Sequence, residues 1–418
     1  MNRIPLSQVC NYSDDSVQVS ELNLNNFIST DNMLPNRGGI TEAVNLPPAN
    51  SCSAYSKGEI LISNIRPYFK KIWFAEFNGG CSADVLVLKT TNPKFDPKFV
   101  YYNLFQDLFF KHQMTGSKGS KMPRGDKDQI MTFLIPEFDK TYQKRVSEFL
   151  NVIDEKIALN KEINTELENL AKTIFNYWFV QFDFPNEEGK PYKTSGGEME
   201  WNDELKREIP KGWRAKSLYD IATYTNGLAM QKHRPKGEER LPVIKIKEMN
   251  EGYSAATEYA RPDIEDDYLI KDGDILFSWS ASLNIMIWAD KIGALNQHIF
   301  KVTSVNYPRY YFYHQISNYL NHFKLMAENR KTTMGHITID HLKESRIVVP
   351  NDDLLIKKCG ERIEPLLDLI VKNRMTNIEL MEIRDFLLPM LMNGQVKVKS
   401  EVNEQLSMAA EPQVKYGK

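Results

Sequence analysis

Two stretches of this chain carry apolar residues spaced alternately four and three apart. The first runs through Val146, Leu150, Ile153, Ile157, Asn160, Asn164, Leu167, Ala171, Ile174 and Trp178. The second runs through Cys359, Ile363, Leu366, Ile370, Asn373, Asn377, Leu380, Arg384, Leu387 and Leu391, at a constant offset of 213. About five heptads of such a pattern predict paired coiled-coil helices rather than a helix lying on a sheet. Both stretches place two asparagines on the apolar stripe, and a buried amide without a partner costs ~1–3 kcal/mol. The asparagines are therefore expected to meet each other in an antiparallel pair, Asn160 with Asn377 and Asn164 with Asn373. That register puts Val146 on Leu391, Leu150 on Leu387, Ile157 on Leu380 and Leu167 on Ile370. It also sets Ala171 on Leu366, Ile174 on Ile363 and Trp178 on Cys359. Arg384 falls opposite Ile153 and must reach water or a carboxylate.

Ahead of each long helix the period changes from 3.5 to 2. Short β-branched runs broken by Gly, Pro and Asn, such as "EILIS", "KIWFAEF" and "DVLVLKT", then "LPVIKIK", "DILFSWS" and "HIFKVTS", predict strands. Helical stretches follow ("FVYYNLFQDLFFKHQM" and "RYYFYHQISNYLNHFKLMAEN"), and then a short strand ending at Pro136 or Pro350. The chain thus says one thing twice. "SKGEILISNIRPYFKKIWFAE" (56–76) and "KDGDILFSWSASLNIMIWADK" (271–291) share Gly58/Gly273, Ser63/Ser278 and Trp73/Trp288, each pair 215 apart, while the middle differs. The predicted architecture is α+β: two mixed α/β domains joined by two long antiparallel coiled-coil helices, with a pseudo-two-fold internal repeat. Its divisions are a first domain at 1–140, a helix at 141–181, a Pro-, Gly- and charge-rich connector at 182–213, a second domain at 214–352, a helix at 353–393 and a tail at 394–418. Gly394 is a natural helix stop.

Composition excludes more than it assigns. The 42% hydrophobic and 26% charged content is that of a globular protein, and no run approaches the ~18 apolar residues of a membrane span. "MNRIPLSQVCNYSDD" has no apolar core of a signal peptide, so the expected location is cytoplasmic, with no membrane partner. The four cysteines include no CxxC pair and the histidines no HxxxH spacing, so no metal site is expected. Phosphate-loop, H-E-x-x-H and G-x-S-x-G motifs are absent, and no methyltransferase motif is present. The chain reads as non-catalytic.

A net charge of −2 gives no global attraction to nucleic acid, so cations must be gathered locally. "TGSKGSKMPRGDK" (115–127) gathers Lys118, Lys121 and Arg124 among glycines and hydroxyls, a chemistry suited to phosphates and, through Arg, to guanine. "NRKTTMGHIT" (329–338), with Arg330, Lys331, Thr332, Thr333 and His336, stands at the matching place in the second half. "SNIRPYFKK" adds Asn64, Arg66, Lys70 and Lys71, and its counterpart "SWSASLNIM" has lost those charges. A shared frame with altered contact residues is the pattern expected of two readers of different DNA sequences. The aromatic helix end "IFNYWFVQF", with Phe175, Trp178 and Phe179, exceeds what two paired helices can cover and is expected to be a partner surface.

"FPNEEGKPYKTSGGEMEWNDELKREIPKGW", together with "STDNMLPNRGGI", "GEILISNIRPYFKK" and "LLPMLMNGQV", resembles the specificity subunits of Type I restriction-modification systems over nearly the whole chain. The resemblance implies two target-recognition domains, each reading one half of a split site in double-stranded DNA, and two helices that set the gap. It also implies two methyltransferase (modification) subunits that methylate adenine N6 using S-adenosylmethionine, and restriction/translocase subunits that use ATP. Neither cofactor is then expected on this chain. Two other readings fit the same residues: the reader of a solitary methyltransferase without restriction, and a coiled-coil scaffold that binds no DNA.

Overall fold

The structure is a computed structural model that describes residues 2–117, 122–254, 256–329 and 336–398. The chain forms two compact units, Met1–Glu155 with Met381–Lys418, and Lys156–Leu380. The division differs from the linear one read from the sequence. Both long helices, Lys140–Phe179 and Asp353–Met392, are continuous over 40 residues, and each contributes one part to either unit. Asp139 Oδ1 accepts from the Tyr142 amide at the start of the first helix, at 2.8 Å. Gly394, at φ 74°, ends the second.

In the first unit, strands Cys10–Tyr12, Val85–Thr90, Ile60–Ser63 and Ile72–Phe74 lie side by side in that order, all antiparallel. A second sheet runs Ser16–Gln18, Ser51–Tyr55, Gly79–Cys81, Phe27–Ile28, with the last pair parallel. Strand Ile60–Ser63 reads as an unbroken apolar run because both its faces are covered. Ile60 and Ile62 belong to one core, with the helices, and Leu61 to another, with Tyr55 and Trp73. Gly79 is required for sheet contact, since a Cβ there would lie 2.1 Å from the Asn26 carbonyl oxygen.

The second unit repeats this plan. Thr223–Asn226, Ile299–Thr303, Ile275–Ser278 and Asn284–Ile287 form the four-stranded antiparallel sheet. Ile275 and Phe277 face one core and Leu276 another. In the other sheet the triplet Leu269–Ile270, Gly293–Leu295, Leu241–Ile244 matches Ser51–Tyr55, Gly79–Cys81, Phe27–Ile28, one neighbour antiparallel and one parallel. The fourth strand is added on opposite edges: Ser16–Gln18 beside Ser51–Tyr55, but Tyr259–Ala260 beside Leu241–Ile244. The frame is common and the periphery is not. The connector is itself folded. A hairpin pairs Met199–Asn202 with Arg207–Pro210, and Phe184 stacks between Tyr192 and Trp213 at 4.6 and 5.1 Å.

In the second unit the helices meet antiparallel through an amide ladder. Asn160 Nδ2 donates to Asn377 Oδ1 at 2.8 Å, and Asn377 Nδ2 to the Ile157 carbonyl at 3.2 Å. Asn373 Nδ2 donates to Asn164 Oδ1 at 2.9 Å, and Asn164 Nδ2 to the Ile370 carbonyl at 3.3 Å. Each amide finds its partners across the helix pair, which removes the cost of burying it. In the first unit Val146 and Leu150 are buried with Leu388, Leu391 and Met392. Arg384, opposite Ile153, finds a carboxylate: Nη1 lies 2.8 Å from Asp154. Near the helix ends Ala171, Trp178, Cys359, Ile363 and Leu391 are buried as the register expects, and three other positions shift by one residue. Phe175, Leu367 and Leu388 are buried where the heptad pattern named Ile174, Leu366 and Leu387, which are only partly covered. An α-helix drifts by ~20° per heptad against a 3.5 repeat, and at these turns each helix also packs on the sheet-and-helix body of its own unit.

Candidate nucleic-acid interface

In the first unit the "SNIRPYFKK" turn and the "MPRG" segment come together. Ile65 and Arg124 form a β-bridge. The Arg66 amide donates to the Pro123 carbonyl at 2.8 Å, and the Gly125 amide to the Asn64 carbonyl at 3.0 Å. Gly125 allows the approach, because a Cβ there would sit 2.7 Å from Asn64 Oδ1. The turn carries a short 3-10 helix, Pro67–Phe69, between two left-handed residues, Arg66 (φ 48°) and Lys70 (φ 52°). A second loop buttresses it: the amides of Asn36 and Arg37, also left-handed, donate to the carbonyls of Phe69 and Lys70 at 2.8 and 2.9 Å. Four left-handed non-glycine residues in two abutting loops are a concentration of backbone strain of the kind found at functional sites.

The cations here divide into committed and available ones. Lys70 Nζ lies 2.7 Å from Asp107, which also pairs with Arg37. Lys71 Nζ donates to the Thr30 carbonyl at 2.5 Å, and burial lowers the pKa of its ammonium. These two hold the turn in place. Arg124 is 63% exposed in its side chain although it pairs with Asp84 at 2.9 Å. Arg66 Nε and Asn64 Oδ1 are shielded from solvent with no hydrogen-bond partner among the described residues. Arg124, being exposed, can exchange Asp84 for a ligand, and Arg66 and Asn64 each keep a hydrogen-bonding atom that the fold leaves unused. Lys118 and Lys121 lie outside the described residues, as do Arg330, Lys331, Thr332 and Thr333.

The second unit keeps one left-handed residue and a closing backbone bond at the matching place, but its turn is tighter and carries no 3-10 helix, with Phe277 paired to Ile285 where Ile62 pairs to Ile72. The Ile337 amide donates to the Trp279 carbonyl at 2.9 Å, in the place of the Gly125–Asn64 bond. Ala281, 215 residues after Arg66, is likewise left-handed at φ 54°. His336 is exposed and edge-on to Trp279 at 5.4 Å. Trp279 Nε1 donates to Asn226 Oδ1 at 3.0 Å, and His298 lies 5.5 Å away on the ring, with its Nδ1 buried and unpartnered among the described residues. Among the described residues, the guanidinium and ammonium groups of the first unit's turn are thus matched by indole, amide and imidazole in the second. Trp279, Asn226, His298, Arg37, Tyr68 and Phe69 were not among the residues singled out from the sequence. The 215-residue offset that aligns Trp279 with Asn64 was the available signal for the first of them.

The aromatic helix end is not the uncovered surface expected from its composition. Phe175, Trp178 and Phe179 are all buried in the second unit's core. Phe175 stacks on His314 at 5.0 Å, Phe179 meets Tyr311 edge-on at 5.1 Å, and the Arg362 guanidinium lies over Trp178 at 5.9 Å. The helix Arg309–Asn329 and the folded connector supply the cover that two paired helices alone lack. Among the described residues no cluster of ligands suits a metal ion, and no helix is long and apolar enough to cross a membrane.

Residues 210–379 match the family described as the Type I restriction modification DNA specificity domain. The chain is 26% identical over 313 residues to the Type I restriction enzyme MjaIX specificity subunit of Methanocaldococcus jannaschii, covering 72% of this chain and 69% of that one. It is 23% identical to the HindI specificity subunit of Haemophilus influenzae, over 88% and 94% of the two chains. The crystal structure of a Type I restriction-modification S subunit from M. genitalium shares its fold, with a TM-score of 0.53 at 16% identity over 93% of this chain and 95% of that one.

Proposed function

We propose that this chain, a member of the Type I restriction-modification DNA specificity family, reads a bipartite site in double-stranded DNA, one half with each unit. The observation that carries the reading is the repeated turn. A left-handed residue recurs at matching positions, Arg66 and Ala281, and two residues before each a carbonyl, of Asn64 or Trp279, accepts a closing backbone bond, with different side chains around them. A constant frame positions the contact residues, and the residues themselves set which bases are preferred. The chain acts as a non-catalytic cytoplasmic adaptor. Two methyltransferase subunits carry S-adenosylmethionine and methylate adenine N6, and restriction/translocase subunits carry ATP.

Mapping N6-methyladenine across the genome of cells with and without this gene, beside its partner methyltransferase, tests the role. A split motif should vanish with the gene. Exchanging residues 1–140 for those of another family member should alter one half of that motif and leave the other. Changing Lys118, Lys121 and Arg124 together to Ala should weaken binding to all duplexes and flatten the salt dependence by ~0.9 in log–log slope per lost phosphate contact. Unchanged methylation in the deletion, with no salt-dependent DNA binding by the complex, would leave only a scaffold. A methylated motif in cells without a restriction subunit would identify the solitary-methyltransferase form.

A further inference from the structure

Tyr68 stands at the tip of the first unit's turn with 48% of its surface exposed, and Phe69, 36% exposed, packs against it at a ring distance of 4.8 Å. A single aromatic residue on a surface is unremarkable in itself. This pair differs because the backbone beneath it is fixed from every side. Pro67 is buried, the Phe69 amide donates to the Arg66 carbonyl and the Lys70 amide to the Pro67 carbonyl, both at 2.9 Å. The carbonyls of Phe69 and Lys70 are held by the buttressing loop, and Lys70 is clamped by Asp107. Two left-handed residues are tolerated in order to present one aromatic tip rigidly. Cations flank the tip: Arg66 precedes it, and exposed Arg124 is bridged to the turn through Ile65. An apolar ring framed by positive charge suits a polyanion whose interior is a stack of flat rings.

Resting on the DNA-reading role above, we propose that Tyr68 is a wedge that enters the base stack of the first unit's half-site, with Phe69 behind it and Arg66 and Arg124 on the flanking phosphates. Side chains that part a base step open the duplex locally and favour steps that unstack easily, pyrimidine–purine steps above all. The first half-site should therefore contain such a step at a fixed position. Among the described residues, the second unit's turn presents no such tip. Leu283, 215 residues after Tyr68, is 5% exposed, and the tip residues there are Ala281 and Ser282. The wedge acts on the first half of the site.

The test uses the complex of the full chain with its methyltransferase and duplexes carrying the mapped site, with 2-aminopurine placed at successive positions. Wild type should raise emission at one step of the first half-site distinct from the methylated adenine. Tyr68→Ala should abolish that signal and weaken binding ~5- to 150-fold, the range set by loss of one aromatic–base stack. Tyr68→Phe should retain both. An exposed ring predicts an unchanged thermal midpoint, so the comparison is between folded proteins. If Tyr68→Ala binds and fluoresces as wild type does, or instead loses its methyltransferase on purification, the wedge is overturned while DNA reading stands. If the wild-type complex binds no duplex specifically, the DNA-reading role fails and the wedge with it.

Discussion

Replacing Asp154 by alanine should destabilise the protein by ~2–4 kcal/mol, a large cost for one residue on a helix surface. The reason lies in Arg384, which is 7% exposed, with its guanidinium 4.6 Å from the Phe105 ring. Burial opposes its charge, but Asp154 and Asp385 outweigh burial and hold it protonated more firmly than usual. Removing one partner of a buried pair costs ~3–5 kcal/mol because the other charge is left uncompensated. Here Asp385 remains at 3.0 Å and the Asp154 side chain is itself 27% exposed, which lowers the figure. Tyr102 Oη, which donates to Asp154 at 2.8 Å, loses its acceptor as well and adds ~1 kcal/mol. Urea unfolding followed by fluorescence measures the loss, and the midpoint temperature should fall by ~5–15 °C. Asp154→Leu combined with Arg384→Leu should recover most of it, because Leu150, Ile153 and Phe105 already make the surroundings apolar. A loss below ~1 kcal/mol for Asp154→Ala, or a double variant as unstable as the two single changes added together, would show that Arg384 is solvated and the reasoning wrong.

Phe175→Asp should fail to fold or lose its cooperative transition, since it places a carboxylate in the centre of the second unit's core; a folded, soluble variant would contradict that burial. Of the four thiols, Cys10, pushed up to about 11 by burial, and Cys81 and Cys359, pushed up to about 12, should resist a thiol reagent in the native protein, leaving half-buried Cys52 as the one that reacts. Titration should count one thiol natively and four in denaturant. Asp107 is partly buried, which raises its pKa, but Lys70 and Arg37 more than offset that and hold it below the usual carboxylate range. Its contribution is present above the unfolded carboxylate pKa and disappears as pH falls through the lower folded value. The protection factors of the Arg66, Phe69 and Lys70 amides, measured against intrinsic exchange at each pH, should therefore fall selectively at acid pH, and Asp107→Asn should show the reduced protection already at neutral pH. Asn160→Ala should destabilise by ~1–3 kcal/mol by stranding Asn377, and Asn160→Leu with Asn377→Leu should relieve that cost.

Periodicity determined the helix pair and, for an antiparallel pair, its central register. Spacing is a local property of sequence, and for antiparallel helices two buried amides on each leave one register in which all four are satisfied. The internal repeat was equally legible, because Gly58 and Gly273 keep the same left-handed turn residue at the same interval. What tertiary structure decided was the environment of each side chain. "IFNYWFVQF" reads as an exposed aromatic patch until the connector and the helix Arg309–Asn329 fold over it, and that cover comes from residues far away in the chain. The same holds for the cations: Lys70 and Lys71 look as available as Arg66 and Arg124 in "SNIRPYFKK" and "MPRG", yet Asp107 and the Thr30 carbonyl claim the first two, while Arg124 keeps an exposed side chain beside its partner Asp84. Composition supplies charge, but only packing determines which charges are already neutralised within the fold and which are left to meet a ligand.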